Sequence, residues 1–189
     1  MESAGRLLCV KEVVNGLREK GVEPIHTLDE AGTRRVLLRS HGVAKSVYDA
    51  LEAAHIPYID GTCPNVQRIH RLVEQAHAAG RQVIIVGDKN HPEVQGIDGW
   101  CENSAYILDT PGPVCLPGPG GTVLTGAEAR TVPCTLVSQT TLRHETFEAC
   151  VASLREQLFD LEVHDTICSA TAVRQAEAAK LAARVDKMI

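Results

Sequence analysis

The sequence predicts an α/β fold: repeated parallel-sheet modules joined by crossover helices. Short β-branched runs alternate with longer amphipathic stretches, the pattern of strand–helix–strand units. A repeat in order supports this. "YIDGTCPNV" at 58–66 and "EVHDTICSAT" at 162–171 each end a strand-like run with an aspartate three residues ahead of a cysteine, and each leads into a helical pattern. The 44% hydrophobic content over 189 residues supplies a core for one ordinary domain or two small ones.

In chain order, the strand candidates are "RVLLRS" (35–40), "IPYID" (56–60), "QVIIVG" (82–87), "SAYILD" (104–109), "CTLVSQ" (134–139) and "LEVHD" (161–165). Helical spacing covers 11–20, 43–54, 64–79, 144–158 and 169–184. "TPGPVCLPGPGGT" (110–122) is dense in proline and glycine and is expected to be an irregular surface excursion, with no role for Cys115. Before Cys63 the order is "RSHGV", helix, strand, Asp60; before Cys168 it is "SQTTL", helix, strand, Asp165. This repeat divides the chain into a partial first module at 1–60, a second at 61–163 and the truncated start of a third at 164–189.

Charge and composition exclude several classes. A net charge of −5, with basic residues scattered, offers no stripe to match a nucleic-acid backbone, and 3% aromatic residues leave few stacking platforms. No run of 18 apolar residues exists, so neither a membrane nor a secretory signal is expected, and the reading is cytoplasmic. Seven cysteines in a reducing compartment point to buried thiols, metal ligation or catalysis rather than disulfides.

The informative motifs all fall at predicted strand ends, where ligands gather in open parallel sheets. Cys63 and Cys168 precede helices whose positive N-terminal ends favour thiolate, the form that binds iron or zinc. A small buried hydrophobe is the plainer alternative for a lone cysteine, and the repeat weighs against it. His41 in "RSHGV" and His91 in "GDKNHPEV" suit an anion such as phosphate, held by imidazole and backbone N–H together. Glu93, two residues after His91, can bond a hydroxyl and give it a proton, although a helix cap with a solvated acid has the same spacing. Gln139, Thr140 and Thr141 add neutral donors at another strand end. His70 and His77 share a helix face without a third ligand and are expected at the surface. Cys101, Cys134 and Cys150 are expected to pack in the core.

Taken together, "RSHGV", "DGTCPNV", "GDKNHPEVQG", "SQTT" and "ICSAT" followed by "RQ" resemble the 4-hydroxy-3-methylbut-2-enyl diphosphate reductases, the LytB family, in order and over nearly the whole chain. The resemblance implies a cloverleaf of three α/β modules around a 4Fe–4S iron–sulfur cluster held by one cysteine per module. Cys63 and Cys168 match two of these metal ligands; the third has no counterpart in the chain. His41 and His91 would bind the substrate diphosphate, Glu93 would be the catalytic proton donor, and Thr140 with Gln139 would sit beside the substrate hydroxyl. The implied reaction removes that hydroxyl by two-electron reduction, giving isopentenyl and dimethylallyl diphosphates, with ferredoxin or flavodoxin as electron donor.

Besides the missing cluster cysteine and its module opening, the match departs from the family at two further places. Cys9 and Val10 in "LLCVKEVV" stand where the family has a histidine–asparagine pair, and the family's serine–x–asparagine loop is missing. With two matching cysteines, the 189 residues alone are expected not to hold a stable cluster. Two alternatives stay open: a non-catalytic remnant of the enzyme, or a small metal- or phosphate-binding α/β module.

Overall fold

The computed structural model describes residues 14–187, so Cys9, Val10 and the start of the helix expected at 11–20 lie outside the described residues; its described part is helical at 14–18. Two parallel sheets carry the fold. The smaller pairs β1 (Val36–Leu38) with β2 (Tyr58–Asp60), joined by helix α1 (Lys45–Ala53). Register sets Val36 against Tyr58 and Leu38 against Asp60. Because side chains alternate along a strand, Val36 and Leu38 turn inward onto Leu51 of α1 and Ala31. Leu37 and Ile59 face the other way, each 52% exposed.

The larger sheet has four strands in the order β4-β3-β7-β8. These are β3 (Gln82–Val86), β4 (Tyr106–Leu108), β7 (Cys134–Ser138) and β8 (Leu161–Val163), all parallel. The central strands are apolar on both faces, as a doubly covered parallel sheet requires. On one face Ile84, Val86, Cys134 and Leu136 pack against Phe147, Cys150 and Leu154 of α5 (His144–Gln157). On the other, Val83, Ile85 and Val137 pack against Ile69 and Val73 of α2 (Pro64–Ala78) and Val94 and Ile97 of α3 (Pro92–Asp98). Cys101, Cys134 and Cys150 are fully buried, as expected, and burial pushes the Cys101 thiol up to about 12 and Cys134 to about 11. At the opposite end of the sheet from the motifs, Arg81 binds Asp160 at 2.8 Å and the Cys134 carbonyl, fastening the starts of β7 and β8.

Two expectations need correction. The proline-rich segment is not an irregular excursion: β5 (Cys115–Pro117) and β6 (Val123–Thr125) form an antiparallel hairpin leading into the short helix α4 (Gly126–Arg130). Val114 and Leu116 enter the core beneath it, and Gln157 clamps the entry by accepting from the Val114 N–H at 2.8 Å and donating to the Gly112 carbonyl at 3.0 Å. A two-stranded ribbon is all edge, so its prolines remove few ladder bonds. The second correction is His70, which is buried at 2% exposure rather than at the surface. Its ring stacks on Trp100, with centroids 4.8 Å apart at 20°. His77 is half-buried, 3.9 Å from Glu102.

Candidate active site

In the large sheet the chain leaves β3 toward β4 and leaves β7 toward β8, so the connections diverge at the carboxyl ends of β3 and β7, the switch point where such sheets place ligands. The β3 end supplies His91 and Glu93; the β7 end supplies Gln139 and Thr140. Glu93, 3% exposed, is held by both oxygens: the Thr140 N–H donates to Oε1 at 2.6 Å and the Thr140 hydroxyl donates to Oε2 at 2.8 Å. This is more than a solvated capping acid. A carboxylate is buried here on a single hydroxyl neighbour, which can pass a proton to or from it.

Helix α3 begins at this point because His91 is its N-cap and Pro92 fixes its first turn. The Glu93 N–H donates to His91 Nδ1 at 3.2 Å, which leaves Nε2 as the ring's free donor. The His41 ring lies edge-on to His91, centroids 5.7 Å apart. Burial pushes the His41 imidazole below its ordinary range, and His91 and Arg39 add to that, with Glu93 opposing.

Gly42 fixes where His41 stands. It has φ +74°, and a Cβ there would lie 2.5 Å from His70 Cε1, so the turn closes directly onto the buried His70 ring. Trp100, behind that ring, donates to the Val43 carbonyl at 3.0 Å and ties the small sheet's loop to the 3-10 turn that follows α3.

The two cysteine sites are built alike. Asp60 Oδ1 accepts from the Thr62 N–H at 2.9 Å, and Asp165 Oδ1 accepts from the Ile167 N–H at 3.0 Å. Each aspartate thus makes the turn that delivers the cysteine three residues later to the N-cap of its helix, α2 for Cys63 and α6 (Ser169–Ala182) for Cys168. The match continues in the main chain: Cys63 N–H donates to the Ser40 carbonyl at 3.0 Å, and Cys168 N–H to the Thr140 carbonyl at 2.8 Å. The turns before them correspond as well, Gly42 N–H to Arg39 and Leu142 N–H to Gln139. Burial raises the Asp60 carboxyl, but hydrogen bonds from Thr62, Tyr48 and Gln67 outweigh it and hold it below its ordinary value.

Cys168 is therefore one main-chain bond from Thr140, and Thr140 is one side-chain bond from Glu93. Cys63 and Cys168 are both half-buried free thiols. Gln139 is turned into its own loop: its Oε1 accepts from the Asp88 N–H at 3.2 Å, and its Nε2 donates to Thr141 at 2.8 Å. It braces the β3 and β7 ends against each other. Sequence reasoning missed Asn65, whose Nδ2 donates to Cys168 Sγ at 3.2 Å, and the buried Thr166, which bonds the Ser138 carbonyl at 2.7 Å. Asn65 lies inside the quoted "DGTCPNV", but only the fold shows what it reaches.

Cysteine sulfurs at two helix N-termini are a donor set suited to iron–sulfur ligation. No group of three or more metal-ligating side chains occurs among the described residues; Cys63 and Cys168 fit part of such a site. Among the described residues no helix is long and apolar enough to cross a membrane.

The pattern that defines the LytB protein family matches residues 3–189. A 4-hydroxy-3-methylbut-2-enyl diphosphate reductase of Clostridioides difficile is 37% identical over 98% of this chain and 63% of its own length. One from Caldanaerobacter subterraneus is 36% identical over 97% of this chain and 61% of its own. The chain thus spans about three fifths of the length of these relatives. The solved structure of (E)-4-hydroxy-3-methyl-but-2-enyl diphosphate reductase, the terminal enzyme of the non-mevalonate pathway, matches with TM-score 0.71 at 32% identity, over 93% of this chain and 60% of that one. A reductase structure from Plasmodium falciparum, at 23% identity and TM-score 0.72, shares the fold.

Proposed function

The chain belongs to the LytB family, and from that premise we propose that it is part of an iron–sulfur reductase that converts 4-hydroxy-3-methylbut-2-enyl diphosphate to isopentenyl and dimethylallyl diphosphates. The observation that carries the reading is the buried Glu93–Thr140 pair, bonded through the Thr140 carbonyl to the N–H of Cys168. These bonds link Glu93, the proton source of the proposal, to the loop of Cys168, its iron ligand. The partition into modules at 1–60, 61–163 and 164–189 belongs to the same proposal.

The reaction takes up two electrons and two protons: the allylic C–O bond breaks, the hydroxyl leaves as water, and a C–H bond forms. A bound 4Fe–4S cluster, held in part by Cys63 and Cys168, supplies the electrons and a Lewis-acidic iron. The protein's residues do the rest. His41 and His91 hold the diphosphate, His91 through its free Nε2 donor and His41 by taking up a proton as the anion arrives. With Glu93 protonated, the Thr140 hydroxyl turns to donate to the leaving hydroxyl, gives it its proton and takes the proton of Glu93 in exchange. Gln139 holds the two strand ends in register around this pair. Ferredoxin or flavodoxin is the electron donor proposed.

The test is turnover. The full-length protein, reconstituted anaerobically with iron and sulfide and supplied with a reductant, is expected to form both five-carbon diphosphates from the allylic alcohol. Absence of both products from iron-replete protein would refute the proposal and leave the non-catalytic remnant, or a small metal- or phosphate-binding module, as the better reading.

A further inference from the structure

We propose that Asn65 is a positioning residue that donates a hydrogen bond to the iron-ligating sulfur of Cys168 and thereby raises the reduction potential of the bound cluster. This rests on the reading of Cys63 and Cys168 as iron ligands. Asn65 Nδ2 lies 3.2 Å from Cys168 Sγ, and among the described residues no other side chain hydrogen-bonds either of these two sulfurs. The contact spans the repeat. Asn65 sits in the first turn of α2, two residues after its N-cap Cys63, and reaches the N-cap of α6. One helical turn therefore carries one cysteine and grips the other.

The surroundings favour that contact. Asn65 lines a small cavity of about 150 Å³ together with Arg68, Thr166, Ile167, Cys168 and Ser169. The cavity floor is fixed, because Thr166 is pinned to Ser138 and the Ile167 N–H to Asp165. A thiolate only accepts, so the amide must present its nitrogen. A neutral donor aimed at a ligating sulfur draws electron density from it and stabilises the more negative, reduced state, and hydrogen bonds to sulfur are one of the levers that set such potentials.

The experiment uses the full-length holoprotein, reconstituted anaerobically, and two substitutions of nearly unchanged size. Asn65→Leu removes the donor; Asn65→Asp replaces it with an acceptor. Potentials are read by redox titration followed by electron paramagnetic resonance, with iron counted in each sample. Asn65→Leu is expected to keep its iron and to shift the oxidised–reduced equilibrium about tenfold toward the oxidised state, about 59 mV for a one-electron couple. Asn65→Asp is expected to shift further the same way and to lose iron faster to a chelator. Should Asn65→Leu fail to load, Asn65→Ser, too short to reach the sulfur, is expected to show the lowered potential. Unchanged potentials in iron-replete variants overturn the proposal while leaving the active-site reading intact. Full iron retention in Cys168→Ala overturns that reading, and the proposal with it.

Discussion

Glu93 is enclosed at 3% exposure, and both its oxygens are committed to one residue, Thr140, itself 7% exposed. A buried carboxyl bonded to a single hydroxyl can exchange its proton through that hydroxyl. Glu93→Gln keeps the shape and removes the exchangeable acid, and is expected to lower turnover by about 10²–10⁴ with iron content unchanged, read by product formation alongside iron analysis. Near-normal turnover would take Glu93 out of the mechanism. His41 gives a second prediction. Burial, His91 and Arg39 depress its imidazole below the ordinary value of 6.5, so it is neutral at pH 7 before an anion binds. A diphosphate raises it again, so binding takes up a proton: affinity strengthens as pH falls and weakens as pH rises through the imidazole's bound-state value. Calorimetry of inorganic diphosphate against pH is expected to show this slope in the parent and a flatter one in His41→Asn. Equal slopes would remove His41 from the diphosphate site.

The helix α2 shows how one element serves the core and the site together. Its N-cap is Cys63, its first turn carries Asn65, and its inner face buries Ile69, His70 and Val73. His70 has an Nε2 with no hydrogen-bond partner among the described residues, lies against Trp100 and beneath Gly42, and is pushed down to about 4 by burial, with Asp60 only partly offsetting this. The unfolded chain binds a proton there below the ordinary 6.5, and the folded chain does so only near 4. The stability this difference represents is fully present above pH 6.5 and is lost as pH falls toward 4, an effect of about 3 kcal/mol. Urea unfolding at pH 7 and pH 4.5 is expected to show a smaller loss in His70→Phe than in the parent; an equal loss would mean that His70 is not the group responsible. Much at this scale was legible in the sequence. Strands announced by Val–Ile–Leu runs and helices opened by proline lie within a few residues of their expected places, because short-range pattern decides them. The hairpin at 115–125 was hidden, since its stability comes from Leu116 meeting α5 rather than from local propensity. His70 was misplaced for a related reason: its helix spacing is ambiguous, and the Trp100 that covers it lies thirty residues downstream.

Across the whole molecule, the parts of the site arrive from five strand ends: His41 after β1, Cys63 after β2, Glu93 after β3, Thr140 after β7 and Cys168 after β8. The sequence showed these residues as a set because each motif follows a strand-like run. It could not show the bonds between them, such as Thr140 to Glu93 or Asn65 to Cys168, which span 47 and 103 positions. The equivalent hydrogen bonds at Asp60 and Asp165, and at Ser40 and Thr140, give the aspartate–x–x–cysteine repeat its physical meaning: one turn design, used twice, to set a thiol at a helix N-terminus. If both turns serve one centre, the two cysteines must be equally necessary to it. The direct measurement is iron content with Mössbauer spectroscopy on the anaerobically reconstituted full-length protein and its Cys63→Ser and Cys168→Ser variants. A complete four-iron cluster is expected in the parent, and its loss or breakdown in each variant. Intact four-iron clusters in both variants would contradict the assignment of these two cysteines to a common iron site.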